Sequence, residues 1–350
     1  MEKIFTEDDL IYIQNRGNSI DKIQQQLDFF IQGIPKINLV RSAKVGDGIW
    51  QFSEEDTTVF VNYFDKHKAN YSIEKFVPAS GAATRMFKFL NEFLNEFDAE
   101  NDTINSYINK RNAKDISIFI FGLKNFPFYR ELKEKTIQLY PNYYSLSSDA
   151  KYHALIKTLL SKEGLDFANK PKGILPFHVR DEKIITPIEE NIFESDFFKK
   201  ENQKTKIHFT ITEEFQPDFE KITNQFSDCE ISFSYQNQST DTLAVNEDNT
   251  PFRIEGNKLF FRPGGHGALI DNLNALQSDI IYIKNIDNVS QNHRKVIETN
   301  KKILGGVLFF VQYKIFNYLK LLSSGNVTET QITEIKDFAE NKTAFPLPEE

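Results

Sequence analysis

Glu74-Lys-Phe-Val-Pro-Ala-Ser-Gly-Ala-Ala-Thr-Arg-Met-Phe-Lys-Phe-Leu90 decides how the chain is read. A short buried strand over residues 75–77 runs into a tight loop of small residues, and an amphipathic helix is expected to begin near Thr84. Such a turn aims backbone N–H groups and a helix N-terminus at one spot, where a phosphate can sit. Arg85, expected in the first helical turn, adds a forked cation beside it. An ordinary small-residue turn is the plain alternative, since the loop has neither Walker nor dinucleotide-fingerprint spacing.

Outward from this stretch, the bulk composition is that of a globular chain: 350 residues, 40% hydrophobic and 26% charged, with 33 phenylalanines expected to supply much of the core. A net charge of -8 argues against nucleic-acid and membrane partners, because phosphate surfaces repel it. Cys229 is the only cysteine, which excludes an internal disulfide and reads as a small apolar filler in a strand. The acidic N-terminus has no apolar signal region, and the apolar run 303–311 is far shorter than the ~20 residues of a membrane span. These features point to the cytoplasm. Oligomeric state is left open.

Three parts are expected. Residues 1–70 form a helical N-terminal segment, with Thr6, Ser19 and Ser53 as helix caps and Gly33-Ile34-Pro35 as a stop. Residues 71–290 form an α/β domain with a helical insertion over 85–169. Its strands are expected at 207–211, 230–236 and 279–286, its helices at 217–226 and 268–277, with a hairpin turning at Glu255-Gly-Asn257. Strands alternating with helices imply a mostly parallel sheet covered on both faces, with ligands beyond the carboxyl ends of its strands. Residues 291–350 form a C-terminal helical segment, and the abrupt end at Pro346-Leu-Pro-Glu-Glu350 reads as that of a truncated form.

Three further motifs fall at such strand or helix ends. Pro171-Lys-Gly-Ile-Leu-Pro-Phe177 presents Lys172 between prolines, although a solvated surface turn would look the same. Arg262-Pro-Gly-Gly-His-Gly267 lets backbone approach a flat or anionic ligand, with His266 able to stack or donate. Ile283-Lys-Asn-Ile-Asp-Asn288 closes the most apolar strand with Asp287, either a single Mg²⁺ ligand or a helix cap.

In their order along the chain these four motifs resemble those of the sugar-nucleotide pyrophosphorylases, especially the UDP-sugar branch. They are also similar to an uncharacterised bacterial family, domain of unknown function 4301, which carries Pro-Ala-Ser-Gly-x-Ala-x-Arg-Met and Arg-Pro-Gly-Gly-His-Gly-Ala-Leu. The resemblance covers roughly residues 76–288 without the insertion. It implies a nucleotide-diphospho-sugar transferase-like (GT-A-like) fold with a mixed, mostly parallel sheet. It implies that Ser80, Gly81 and Ala82 offer loop N–H groups to a nucleotide, and that Arg85 and Lys172 neutralise its triphosphate. Gln236 resembles the glutamine that reads the base edge, Gly265, His266 and Gly267 line the base pocket, Asn285 also binds the nucleotide, and Asp287 holds Mg²⁺. Two departures stand out: Ser80-Gly81 replaces a double glycine, and a long helical stretch separates Arg85 from Lys172.

The activity so implied joins a nucleoside triphosphate to a sugar 1-phosphate or similar phosphorylated acceptor, with release of pyrophosphate. A non-catalytic nucleotide or sugar-nucleotide binding protein on the same fold is the alternative. A protein–protein scaffold built from the helical segments is a third.

Overall fold

The structure is a computed structural model that describes residues 4–81, 83–99 and 101–342. The chain divides into two compact units, Met1–Gly33 with Ile73–Gln291, and Ile34–Ser72 with Asn292–Glu350. The expected N-terminal segment 1–70 is therefore shared between them, parting at Gly33. Among the described residues no helix is long and apolar enough to cross a membrane.

The first unit is mixed α/β around a four-stranded parallel sheet. Its strands are β1 (Ile73–Pro78), β2 (Thr205–Ile211), β3 (Cys229–Tyr235) and β4 (Ile280–Ile283), lying in the order β4-β1-β2-β3. β1 is buried along its whole length, as a central parallel strand covered on both faces must be. The register aligns Lys75 with Ile207 and Ile231, and Phe76 with His208 and Ser232. Side chains alternate between the faces of a sheet, so each aligned row belongs to one face. On the apolar face Val77, Ile207 and Phe209 meet Ile188 and Ile192 of helix Pro187–Glu194 and Phe219 of helix Gln216–Thr223. The opposite face carries Phe76, His208, Thr210, Ser232 and Ser234. There the short helix Ile270–Asn274 is tied down by Asn272, whose Nδ2 donates to Ser234 Oγ at 2.8 Å.

Cys229 opens β3 half-buried, and burial pushes its thiol up to about 11, so it is inert at neutral pH.

Between β1 and β2 the chain forms five helices from Lys88 to Leu160, whose own core contains Phe87, Leu90, Phe93, Phe128, Leu132 and Leu155. The first two helices, Glu7–Asn15 and Ile20–Gln32, are capped by Thr6 and Ser19, and Gly33 ends the second at φ 83°. They rest on Leu243, Leu259 and Phe261 of two short ribbons. Asp9 clamps them there by accepting two hydrogen bonds from Arg253, at 2.9 and 2.8 Å.

In the second unit helix Glu54–His67, capped by Ser53, runs against the 30-residue helix Arg294–Ser323. Phe309 stacks on Phe64 and Tyr71 at centroid distances of 5.4 and 4.3 Å. The two backbones approach so closely that a Cβ at Gly306 would lie 2.1 Å from the Phe60 carbonyl oxygen. Glycine inside a helix ordinarily costs ~0.5–1 kcal/mol relative to alanine, so it is the close approach that requires it here.

Gly306→Ala is expected to lower unfolding free energy by ~1–3 kcal/mol in denaturant titrations, as overpacking does. Gly122 ends a helix, has negative φ and faces open space. Gly122→Ala is therefore expected to be neutral or to stabilise by up to ~1 kcal/mol. Equal effects at the two sites would contradict the packing described.

Candidate functional site

Strands β1, β2 and β3 step outward in sequence order, and the chain then returns to place β4 on the other side of β1. The strand order therefore changes direction between β1 and β4, and the carboxyl ends of strands at such a divide are where α/β sheets commonly bind ligands. Three of the sequence motifs deliver residues to this point.

The loop after β1 is pinned at both ends. Ala79 N–H donates to Thr210 O at 2.8 Å, and Ala83 N–H to Lys170 O at 3.3 Å. Between them Gly81 O accepts from Lys172 N–H at 3.2 Å, and Ser80 O accepts from Thr212 Oγ1 at 3.4 Å. Among the described residues the N–H groups of Ser80 and Gly81 have no protein acceptor. A Cβ on Gly81 would meet nothing within 4 Å. Two open donors beside an unfilled approach suit an anion.

Pro171 is extended and sets Lys172 at the start of a single tight turn, Lys172–Ile174. Gly173 presses that turn between two neighbours: a Cβ there would lie 3.3 Å from Ile188 and 3.4 Å from Ile286. The lysine thus faces the loop after β4, where its Nζ reaches Asp287 Oδ2 at 2.6 Å. The Asp287 side chain is about half exposed, at 52%. Gly81, Lys172 and Asp287 therefore converge.

The loop bearing Asp287 is held from beneath. Lys284 N–H continues the ladder to Phe76 O at 3.0 Å, while its Nζ reaches Glu194 Oε2 at 2.8 Å. The other oxygen of Glu194 accepts from Lys75 Nζ at 2.9 Å, and Lys75 also donates to Asn191 O at 2.8 Å. Lys75 is 0% exposed. Asn191 reaches Ile286 O at 3.4 Å. None of Lys75, Asn191, Glu194 and Lys284 was expected to matter. The available signal was a lysine running into the apolar Phe76-Val77 of a strand read as buried, a position that demands a charged partner.

Other expectations are corrected. The α-helix after the loop begins at Lys88, not near Thr84. Residues Ala83–Arg85 form a separate 3₁₀ turn, with Ala83 N–H bonded back to Lys170 O. Arg85 therefore precedes the helix; it is exposed and makes no side-chain hydrogen bond or ion pair among the described residues. β4 ends at Ile283, so Asn285 and Asp287 lie on a turn beyond it, closed by Asn288 N–H to Asn285 O at 3.2 Å. Ala82 and the His266 side chain lie outside what is described.

A second cluster forms at the carboxyl end of β3. Gln236 Nε2 lies 3.4 Å from Asp241 Oδ1. Gly264 admits no side chain, since a Cβ would lie 2.9 Å from Thr240 O and from Ala268 Cβ. A Cβ on Gly265 or Gly267 would meet open space. Three strand spacings, about 14 Å, separate the ends of β4 and β3. The two clusters thus bracket the sheet's carboxyl edge.

Among the described residues no group of three or more histidine, cysteine or carboxylate side chains could hold a metal ion. Asp287 is a single carboxylate already engaged by Lys172. The donor set fits a cation whose other ligands are phosphate oxygens, and does not fit a cage built by the protein.

His208 is a further buried group that the sequence did not flag. Its Nδ1 and Nε2 lie 2.7 Å from Ser232 Oγ and Ser234 Oγ. Because a hydroxyl can donate or accept, both ring nitrogens are satisfied in either neutral tautomer.

Over residues 6–350 the chain matches the family described as Domain of unknown function (DUF4301), and it belongs to that family. No curated protein matches the chain. No solved structure matches it.

Burial lowers the His208 pKa, so the unfolded chain takes up a proton more readily than the folded one. Stability present above the ordinary histidine pKa, ~6.5, is lost as pH falls from there toward the folded value. His153 and His178 are shifted the same way by burial. Unfolding free energy should fall between pH 7.5 and 5.5, and fall less in His208→Gln. An equal fall in both proteins would assign the effect elsewhere.

Proposed function

We propose that this member of the family binds a nucleoside triphosphate along the carboxyl edge of its sheet and transfers the nucleotidyl group to a phosphorylated acceptor. The observation that carries the reading is the meeting of Gly81, Lys172 and Asp287 at the β1/β4 divide. Phosphates would lie there, against the open N–H groups of Ser80 and Gly81. The base would lie at the other end, beside Gln236 and the Gly265–Gly267 backbone. The strand order β3-β2-β1-β4 is that of the first four strands of doubly wound dinucleotide-binding sheets and is compatible with a GT-A-like fold.

In the proposed reaction an oxygen of the acceptor phosphate bonds to the α-phosphorus, and the bond from that phosphorus to the bridging oxygen breaks. The electron pair leaves on pyrophosphate. Such a displacement needs alignment and neutralised charge rather than a tuned acid and base. Lys172 supplies an ammonium at a fixed position. Arg85, on its exposed turn, is a second cation within the same loop. Magnesium arriving with the triphosphate would take one oxygen from Asp287, the phosphates filling its other positions.

The alternative is a binding protein that does not turn over. It is favoured by the Lys172–Asp287 pair itself, in which each charge already satisfies the other.

Melting shifts with UTP, CTP, GTP and ATP, each with and without Mg²⁺, test binding. Pyrophosphate release with a panel of sugar phosphates tests transfer. Lys172→Ala is expected to weaken triphosphate binding at least tenfold and to slow release by ~10²-fold. A melting shift without release for any acceptor supports the binder. No shift with any triphosphate, or full release by Lys172→Ala, would refute the proposal.

A further inference from the structure

The helix Arg294–Ser323 of the second unit has two apolar sides, and its packing uses one of them. Ile303, Gly306 and Phe309 are buried, Gly306 beside the Phe60 backbone and Phe309 stacked on Phe64. On the other side Leu304, Leu308, Ile315, Leu319 and Leu322 are exposed, and Val311 is half-buried. Leu304 keeps 66% of its surface. At 3.6 residues a turn these six fall within an arc of ~80°, directly opposite Gly306.

Their steps of four and three residues are those of a coiled-coil seam. No charged residue falls within the arc, and none occurs on the helix between Lys302 and Lys314. Contiguous apolar strips of this kind are rarely left bare on a monomer.

The stripe reads alike in both directions about the level of Tyr313. Leu304 and Leu322 stand nine residues to either side, Val311 and Ile315 two, and Leu308 and Leu319 five and six. A contact between identical copies across a two-fold axis needs such self-complementarity, which an unrelated partner would not impose. Antiparallel helices also oppose their dipoles favourably. Lys314, close to the axis, brings its own counter-ion, Glu334 Oε1 at 2.8 Å.

The area is sufficient. A helix with its side chains is ~11 Å across, so half its girth along the ~27 Å from Leu304 to Leu322 is about 500 Å². Two copies bury about 1,000 Å², the least that a specific interface needs. A membrane surface suits the face less well: the chain has a net charge of -8, and Lys302 and Lys314 are already paired with carboxylates.

We propose that this stripe is a dimer contact, on which a second copy lays the same helix antiparallel. Val311 of one copy then meets Ile315 of the other, and Leu304 meets Leu322.

Sedimentation velocity of the full chain is expected to show a dimer. Leu308→Glu sets two carboxylates in the contact and should weaken the dimer at least ~10²-fold, with the circular dichroism of the chain unchanged. Orientation is read independently by cysteine cross-linking, which holds even if that variant does not fold. Chains carrying Leu304→Cys and chains carrying Leu322→Cys, mixed and oxidised, should cross-link to each other and neither to itself. A wild-type chain that stays monomeric would overturn the proposal, including one that binds phosphatidylserine vesicles through the stripe instead. So would a dimer untouched by Leu308→Glu, or cross-links of like to like.

Discussion

A lysine in the middle of a central strand cannot stay charged without a partner, and at Lys75 that demand organises the carboxyl edge of the sheet. Its ammonium is wholly buried and meets Glu194 at the end of the covering helix Pro187–Glu194. The same carboxylate reaches Lys284, just past β4. One glutamate therefore ties together a helix, β1 and the loop after β4. Removing one partner of a buried ion pair typically costs ~3–5 kcal/mol, because the other charge is stranded. Leucine at position 75 would fill similar space; what lysine adds is a fixed place for that loop.

The consequence is geometric. Asp287 hangs from the loop that Lys284 and Ile286 anchor, and Lys172 from a turn that Gly173 presses against Ile286. Neither side chain is deeply buried, yet each backbone is set by buried neighbours. Side chains held in this way are positioned by the scaffold rather than by each other. Their ion pair is partly exposed, and its own contribution to stability is small. Its weight lies in placing a cation and a carboxylate together where the strand order reverses.

Much of the architecture could be read from local signals. Thr6, Ser19 and Ser53 cap their helices because their hydroxyls accept from N–H groups that would otherwise lack partners. The parallel sheet followed from the alternation of strands and helices, and the hairpin at Glu255-Gly-Asn257 from Gly256, which takes φ 77°. Legibility failed where tertiary contacts override local preference. The helix after Gly81 starts late, after a 3₁₀ turn whose Ala83 is held by Lys170, far along the chain. The Lys75–Glu194–Lys284 network joins three distant segments, and no spacing rule connects them. The partition of residues 1–70 was likewise invisible, because the capped helices on either side of Gly33 look alike in sequence.

One anion site governed by Lys172 requires the loops after β1 and β4 to respond to a ligand together. Hydrogen–deuterium exchange of the full chain with inorganic tripolyphosphate addresses it most directly, because that probe carries phosphates and no base. Slowed exchange is expected at residues 80–83 and 285–288 together, abolished in Lys172→Ala. Slowing at one loop without the other, or slowing that persists in the variant, would contradict it.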